Sequence, residues 1–181
     1  MDKLNDFMVD RRLQPELRGR LRAYFKERRT LTKANRHQAL IEQMSPSLRG
    51  AVASATCIDW LTKVSWMKSG SIQFLESIAL CLKPEVFPPQ ELISAECFHV
   101  VTRGVAVKDL RVHISGSYWG DDMILDNNEL RNMDPAQAIT YVETYTLEQS
   151  SLQTVLESYP SERTRVRSAR IWIVFTRRFP E

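Results

Sequence analysis

Hydrophobic positions recur at helical spacing through the first 83 residues, and from residue 84 the pattern changes to short strands and turns. Residues 2–12 carry a first short helical pattern. Pro15 suits a first helical turn. Leu17, Leu21, Tyr24 and Phe25 follow at i, i+4, i+7 and i+8, one apolar stripe. This predicts a helix ending near Thr30. Asn35 suits the cap of a third short helix bearing Leu40, Ile41 and Met44. Ser45 and Pro46 restart the chain as N-cap and first helical residue, with Leu48, Val52 and Ala55 as the stripe. "CIDWLTKVSWM" reads as an apolar connector. Residues 69–82 form a further helix with Ile72, Leu75, Ile78, Ala79 and Leu82 on one face, stopped by Lys83 and Pro84.

Beyond it come three early prolines, isolated glycines and many β-branched residues. Strands are predicted near 85–94, 97–107 and 110–114, with Gly104 marking a turn or bulge. Residues 139–147, rich in Thr, Tyr and Val, give one more strand. Leu152, Val155 and Leu156 mark a helix. Pro160 opens a last, basic helix to about Phe179, with Val166, Ile171, Val174 and Phe175 as its expected buried face. Helices, then antiparallel strands, then two helices make an α+β order.

Composition narrows the class. A 43% hydrophobic, 26% charged chain can bury a core. No run approaches the roughly 18 apolar residues that span a bilayer, and the N-terminus has no signal-peptide core. The chain alone is expected to be soluble, which is compatible with its being the cytosolic piece of a membrane protein. Cys57, Cys81 and Cys97 form no CxxC pair, and the three histidines are scattered. No metal site or disulfide framework is expected. No paired nucleophile and base and no Gly-rich phosphate loop suggest an enzyme. Charge is uneven: residues 1–36 hold eleven Lys/Arg against five Asp/Glu, whereas 84–158 hold four against twelve. A basic arm beside an acidic body suits association between copies, or with another acidic surface. It carries no nucleic-acid recognition motif.

Several stretches carry a family resemblance. "LQPELRGRLRAYFKER", "LIEQMSPSLRGAVA", "FHVVTRGVAV", "SYWGDDMIL" and "LQTVLESYP" occur in this order from about residue 4 to 178. Together they resemble the C-linker and cyclic-nucleotide-binding homology domain of voltage-gated channels, the hyperpolarization-activated, cyclic-nucleotide-gated, plant and ether-à-go-go potassium channels. The resemblance implies a helical C-linker over 1–68. A jelly-roll-like antiparallel β-roll flanked by helices would follow over 69–181. It implies a cytosolic gating module beneath a pore, assembled as a homo-tetramer. Leu17, Arg18, Tyr24, Phe25 and Arg28 are the expected contacts between subunits. Exposed ion pairs contribute at most about 1 kcal/mol each, so the isolated chain is expected to associate weakly.

The resemblance also places the phosphate-binding cassette at 116–147. A cyclic nucleotide needs backbone N–H groups and an Arg for its phosphate, and a carboxylate for its ribose. Gly120, Asp121 and Asp122 match the start of the cassette. Arg131 stands eleven residues after Gly120, but the Thr-Ala that should follow is replaced by Asn132 and Met133. Aligned on the next strand, the Arg slot falls near Ala136. Asp126, Glu129 and Asp134 make the segment acidic. Two readings stay open. One is a roll retained without cyclic-nucleotide control, needing no cofactor. The other binds cAMP or cGMP through Gly120, Asp121 and Arg131.

Overall fold

The computed structural model describes the backbone of residues 2–178 and the side chains of 4–26, 39–41, 43–53 and 55–176. It is an α+β fold. Helices α1 (Asp2–Asp10), α2 (Pro15–Glu42), α3 (Pro46–Leu61) and α4 (Ile72–Leu80) come first. Eight strands follow: β1 (Lys83–Phe87), β2 (Leu92–Ile93), β3 (Phe98–Arg103), β4 (Ala106–Lys108), β5 (Arg111–His113), β6 (Tyr118–Trp119), β7 (Ala136–Ala138) and β8 (Val142–Leu147). Two 3-10 turns, Asp121–Ile124 and Asn128–Leu130, lie between β6 and β7. Helices α5 (Gln149–Ser158) and α6 (Pro160–Arg178) close the chain. No helix among the described residues is long and apolar enough to cross a membrane.

The strands form two antiparallel four-stranded sheets, ordered β1-β8-β3-β6 and β2-β7-β4-β5. The first is a middle layer. On one side Phe98, Val100 and Leu147 join a core with Leu61, Trp66 and Met67, Phe74 and Ile78 of α4, and Leu152 of α5. On the other side Val101 and Val142 meet Ile93, Ala106, Ala136 and Ala138 of the second sheet. Four successive residues of β3, Phe98 to Val101, are therefore buried. Alternate side chains of a strand point to opposite faces, and here both faces are covered.

The first half departs from the periodicity in instructive ways. Helix α2 runs unbroken to Glu42, so it neither ends near Thr30 nor restarts at Asn35. Residues 30–42 contain no Gly or Pro to stop it. Helix α3 begins as expected, with the Ser45 hydroxyl accepting from the Leu48 N–H at 3.4 Å. It buries Gly50, Ala53, Cys57 and Leu61, however, and leaves Leu48 exposed. Small residues let α4 approach closely: a Cβ on Gly50 would meet the Glu76 carboxylate at 2.7 Å. The start of the expected connector, 57–61, is thus helix. In α4 Phe74 is buried and Ile72 exposed. In α6 Val166 and Ile173 are buried, whereas Ile171 and Phe175, expected inside, are exposed.

The strand region splits as its glycines and prolines require. The expected 85–94 strand breaks into β1 and β2 around Pro88 and Pro89. Gly104 sits between β3 and β4 at a φ of 95°, beside a register shift in the β3–β8 ladder. A Cβ there would collide with the Tyr141 carbonyl. Strands β6 and β7 were outside the expected set, each being only two or three residues long.

The last helix is fastened to the first half by a buried carboxylate. Glu162 is 4% exposed. Its Oε1 accepts from the backbone N–H of Ser71 at 3.0 Å, at the start of α4, and its Oε2 pairs with Arg165 at 2.9 Å. Burial pushes its pKa up, but the Ser71 N–H and Arg165 outweigh that and hold it below the usual carboxylate range. The contact therefore stabilises above the unfolded carboxylate pKa and is lost as pH falls through the folded one. Glu162→Gln is expected to cost about 1.5–3 kcal/mol at neutral pH, read as a lower urea midpoint. A midpoint unchanged at pH 7 would contradict this role.

Candidate functional site

The cassette starts with a forced glycine. Gly120 has a φ of 76°, and a Cβ would collide with the carbonyl of Cys97 just before β3. The turn must pass against that strand whatever the cassette binds. The Asp121 carbonyl accepts from Trp66 Nε1 at 3.1 Å, which ties the turn to the segment after α3. Asp122 is buried, and its Oδ2 accepts from the Asn132 N–H at 2.7 Å.

A polar cavity of about 630 Å³ opens between the cassette, β4–β5 and β6. Gly120, Asp121 and Asp122 lie on its wall, as do Lys108 and Asn132. Arg131 does not. Its guanidinium folds back on its own segment, with Nε donating to the Leu125 carbonyl at 2.9 Å and Nη2 to that of Met123 at 2.8 Å. The structure thus joins three of the four cassette candidates on one wall, with the fourth behind them as a brace.

Lys108 and Asn132 are among the residues of this site that the sequence did not single out. Lys108 is 6% exposed. Its ammonium donates to Asn132 Oδ1 at 3.2 Å and to the Asp134 carbonyl. Asn132 Nδ2 donates to Asp109 Oδ2 at 2.6 Å, and Asn132 Oδ1 accepts from the Asp134 N–H at 3.0 Å. One asparagine therefore connects β4, the Asp122 turn and the approach to β7. A signal for Lys108 existed: it stands two residues after buried Ala106, so strand alternation points it inward. The sequence offered none for Asn132. Ala136, the alternative Arg slot, is fully buried in β7.

Behind the cavity lies a buried histidine. The His99 ring stacks on Trp119 at 5.3 Å and meets the Phe87 edge at 6.1 Å. His99 Nε2 lies 3.1 Å from the Ser94 carbonyl, and Nδ1 lies 3.0 Å from the Thr146 hydroxyl.

The expected contacts between subunits sit elsewhere. Leu17 and Tyr24 line an apolar groove of about 530 Å³ between α2, the Pro88 and Pro89 turn, and Tyr141. Phe25 meets the Tyr24 ring edge-on at 5.7 Å. Arg18 is half-buried, and its Nε donates to the Leu13 carbonyl at 2.7 Å, bracing the turn between α1 and α2. The Arg28 side chain lies outside the described residues. Among the described residues no three His, Cys, Asp or Glu side chains gather as metal ligands.

The chain is 25% identical over 174 residues, 89% of its length, to the potassium/sodium hyperpolarization-activated cyclic nucleotide-gated channel 4 of Oryctolagus cuniculus and of Homo sapiens. It is 24% identical over the same span to channel 3 of Homo sapiens. It spans 14% and 22% of the length of these relatives, which are ion channels by name. No family model matches the chain.

Two predictions follow from the geometry. Arg131→Ala leaves the Met123 and Leu125 carbonyls without their charged donor and is expected to cost about 1.5–3 kcal/mol, measured by urea unfolding. An Arg131 that serves only a ligand would leave the midpoint unchanged. The second concerns pH. Burial lowers the His99 pKa from 6.5 to about 4, against the Ser94 carbonyl, which raises it. Between those values the unfolded chain binds the extra proton. The stability is fully present above pH 6.5 and falls as pH drops toward 4, by up to about 3 kcal/mol. His99→Gln is expected to flatten this part of the urea midpoint against pH. An equally steep profile in the variant would refute it.

Proposed function

We propose that the chain is the cytosolic regulatory module of a homo-tetrameric, voltage-gated, potassium-conducting cation channel, and that it works without cyclic-nucleotide control. Residues 1–68 would be the C-linker and 69–181 the roll domain. The roll and its last helix would bias the C-linker, and the C-linker the pore gate. Couplings of about 1–3 kcal/mol are typical of such linkage. Its place would be the cytoplasmic face of a membrane, attached to its own transmembrane pore domain. The similarity to two channels over 89% of the chain supports the module.

The single observation that carries the loss of nucleotide control is the Arg131 guanidinium, engaged with the Met123 and Leu125 carbonyls. A guanidinium in that position would have to give up those bonds to reach a phosphate. Asp121 and Asp122 both line the polar cavity, and two adjacent carboxylates disfavour an anion beside them. Missing one Arg–phosphate bond costs about 1.5–3 kcal/mol, roughly ten- to a hundredfold in affinity.

Calorimetry with cAMP and cGMP at about millimolar concentration is expected to give no saturable heat. Saturable binding that disappears in Arg131→Ala would establish the other reading, a working site built on Gly120, Asp121 and Arg131. The channel reading itself requires a pore in the same polypeptide. A parent gene with no hydrophobic segments ahead of this region would overturn it.

A further inference from the structure

The last helix carries a run of arginines that the function proposed above leaves unused. Its sequence reads Arg163-Thr164-Arg165-Val166-Arg167-Ser168. Ser168 is the one serine or threonine of the chain with arginines both three and five residues before it. Its side chain is exposed, and its hydroxyl donates to the Thr164 carbonyl one turn earlier at 3.2 Å. Arg163 and Arg167 are exposed as well. Asp126 and Glu157 share a groove with them, and Asp126 is held by Arg170 at 2.6 Å. Glu162, the only acid within α6, is buried.

Helix α6 is also lightly packed. Of its apolar side chains, among the described residues only Val166 and Ile173 are buried, whereas Ile171, Trp172 and Phe175 are 66%, 64% and 61% exposed. An element with few buried apolar contacts opens at low free-energy cost. Once open, residues 163–168 form an extended basic peptide ending in a hydroxyl. Carboxylates in a kinase groove bind such arginines by charge-assisted hydrogen bonds. When α6 is docked, Arg165 Nη1 pairs with Glu162 Oε2 at 2.9 Å and donates to the Ser69 carbonyl. The recognition sequence therefore includes one of the groups that fasten the helix to the start of α4.

We propose that Ser168 is a phosphorylation site for an arginine-directed serine kinase, and that the phosphate weakens the hold of α6 on α4. The γ-phosphoryl group of ATP passes to Ser168 Oγ. The new Oγ–P bond forms, the bond to departing ADP breaks, and the hydroxyl proton goes to the catalytic carboxylate of the kinase. The added group carries about −1.5 to −2 charge. Residues three apart are neighbours on a helix surface, so the phosphate on Ser168 lies beside Arg165. It competes with Glu162 and the Ser69 carbonyl for that guanidinium. Glu162 keeps the Ser71 N–H but loses its cation, and a buried carboxylate without its cation is costly. The assignment does not depend on the channel reading.

The test uses the whole chain, magnesium, ATP and a purified kinase selective for arginine at the fifth and third positions before serine. An acid-directed kinase is the control, and a model peptide with the same two arginines confirms that the first kinase is active. Mass spectrometry is expected to place a phosphoryl group on Ser168 with the first kinase and none with the second. Ser168→Ala is expected to abolish this mark. Arg163→Gln, at an exposed position outside the Glu162 contact, is expected to slow it at least about tenfold, the loss of a charge-assisted contact to the kinase. A phosphorylated peptide beside an unmarked chain, a mark only elsewhere, or an equal rate in Arg163→Gln overturns the site. Amide hydrogen exchange, read by NMR, tests the consequence. The Ser71 amide is expected to exchange at least about tenfold faster in the phosphorylated chain. An unchanged rate overturns the weakened hold on α4. None of these outcomes bears on the channel reading.

Discussion

The burial of the β1-β8-β3-β6 sheet on both faces is the constraint from which the rest of the structure follows. Helices cover one side and the second sheet covers the other. A strand in that position cannot present polar groups to water, so its polar side chains must satisfy one another. Three of them do so around one hydroxyl: Thr146 lies within hydrogen-bonding distance of His99 Nδ1, the Thr144 hydroxyl and Glu85 Oε2. The low pKa of His99 is a direct result of this position. So is the collision that a side chain at Gly120 would suffer, because the cassette turn must pass against the edge of the same layer.

The second sheet is thin, and its strands are short. What closes it is the cassette itself. Asn132 connects Lys108, Asp109, Asp122 and Asp134, and Arg131 holds the turn ahead of it by its carbonyls. A segment that makes its own hydrogen bonds has few donors left for a ligand.

An aromatic series crosses the middle layer. Phe87, His99, Trp119 and His113 contact one another in turn, at ring separations of 6.1, 5.3 and 5.2 Å. Phe87 leads into Pro88 and Pro89, which line the groove against Leu17 and Tyr24 of α2. Packed aromatic rings of this kind join the cavity physically to the first long helix. At the opposite end of the domain, Glu162 joins α6 to the start of α4. Helical and β parts thus share their core, and the 57–67 segment supplies Cys57, Leu61, Val64, Trp66 and Met67 to it.

The sequence by itself determined the α+β sequence of helices, then antiparallel strands, then two closing helices, because the starts and turns are written in local chemistry. Ser45 and Pro46 start α3, Pro15 and Pro160 open helices, and Gly104 turns the chain at a positive φ. Each rests on a preference of one residue for one backbone conformation. It also placed Gly120, Asp121 and Asp122 together, as neighbours in one turn. Only the tertiary structure decided which faces are buried and where charges go. The apolar stripe of α3 lost to its small residues because close helix packing rewards Gly50 and Ala53 over Leu48. Exposed Ile171 and Phe175 show the same limit: periodicity finds an apolar face, but the neighbouring element chooses which face it covers. Arg131 could be read as a phosphate ligand from its spacing alone. Its partners are carbonyls six and eight residues earlier, and only a folded turn brings those oxygens to its guanidinium.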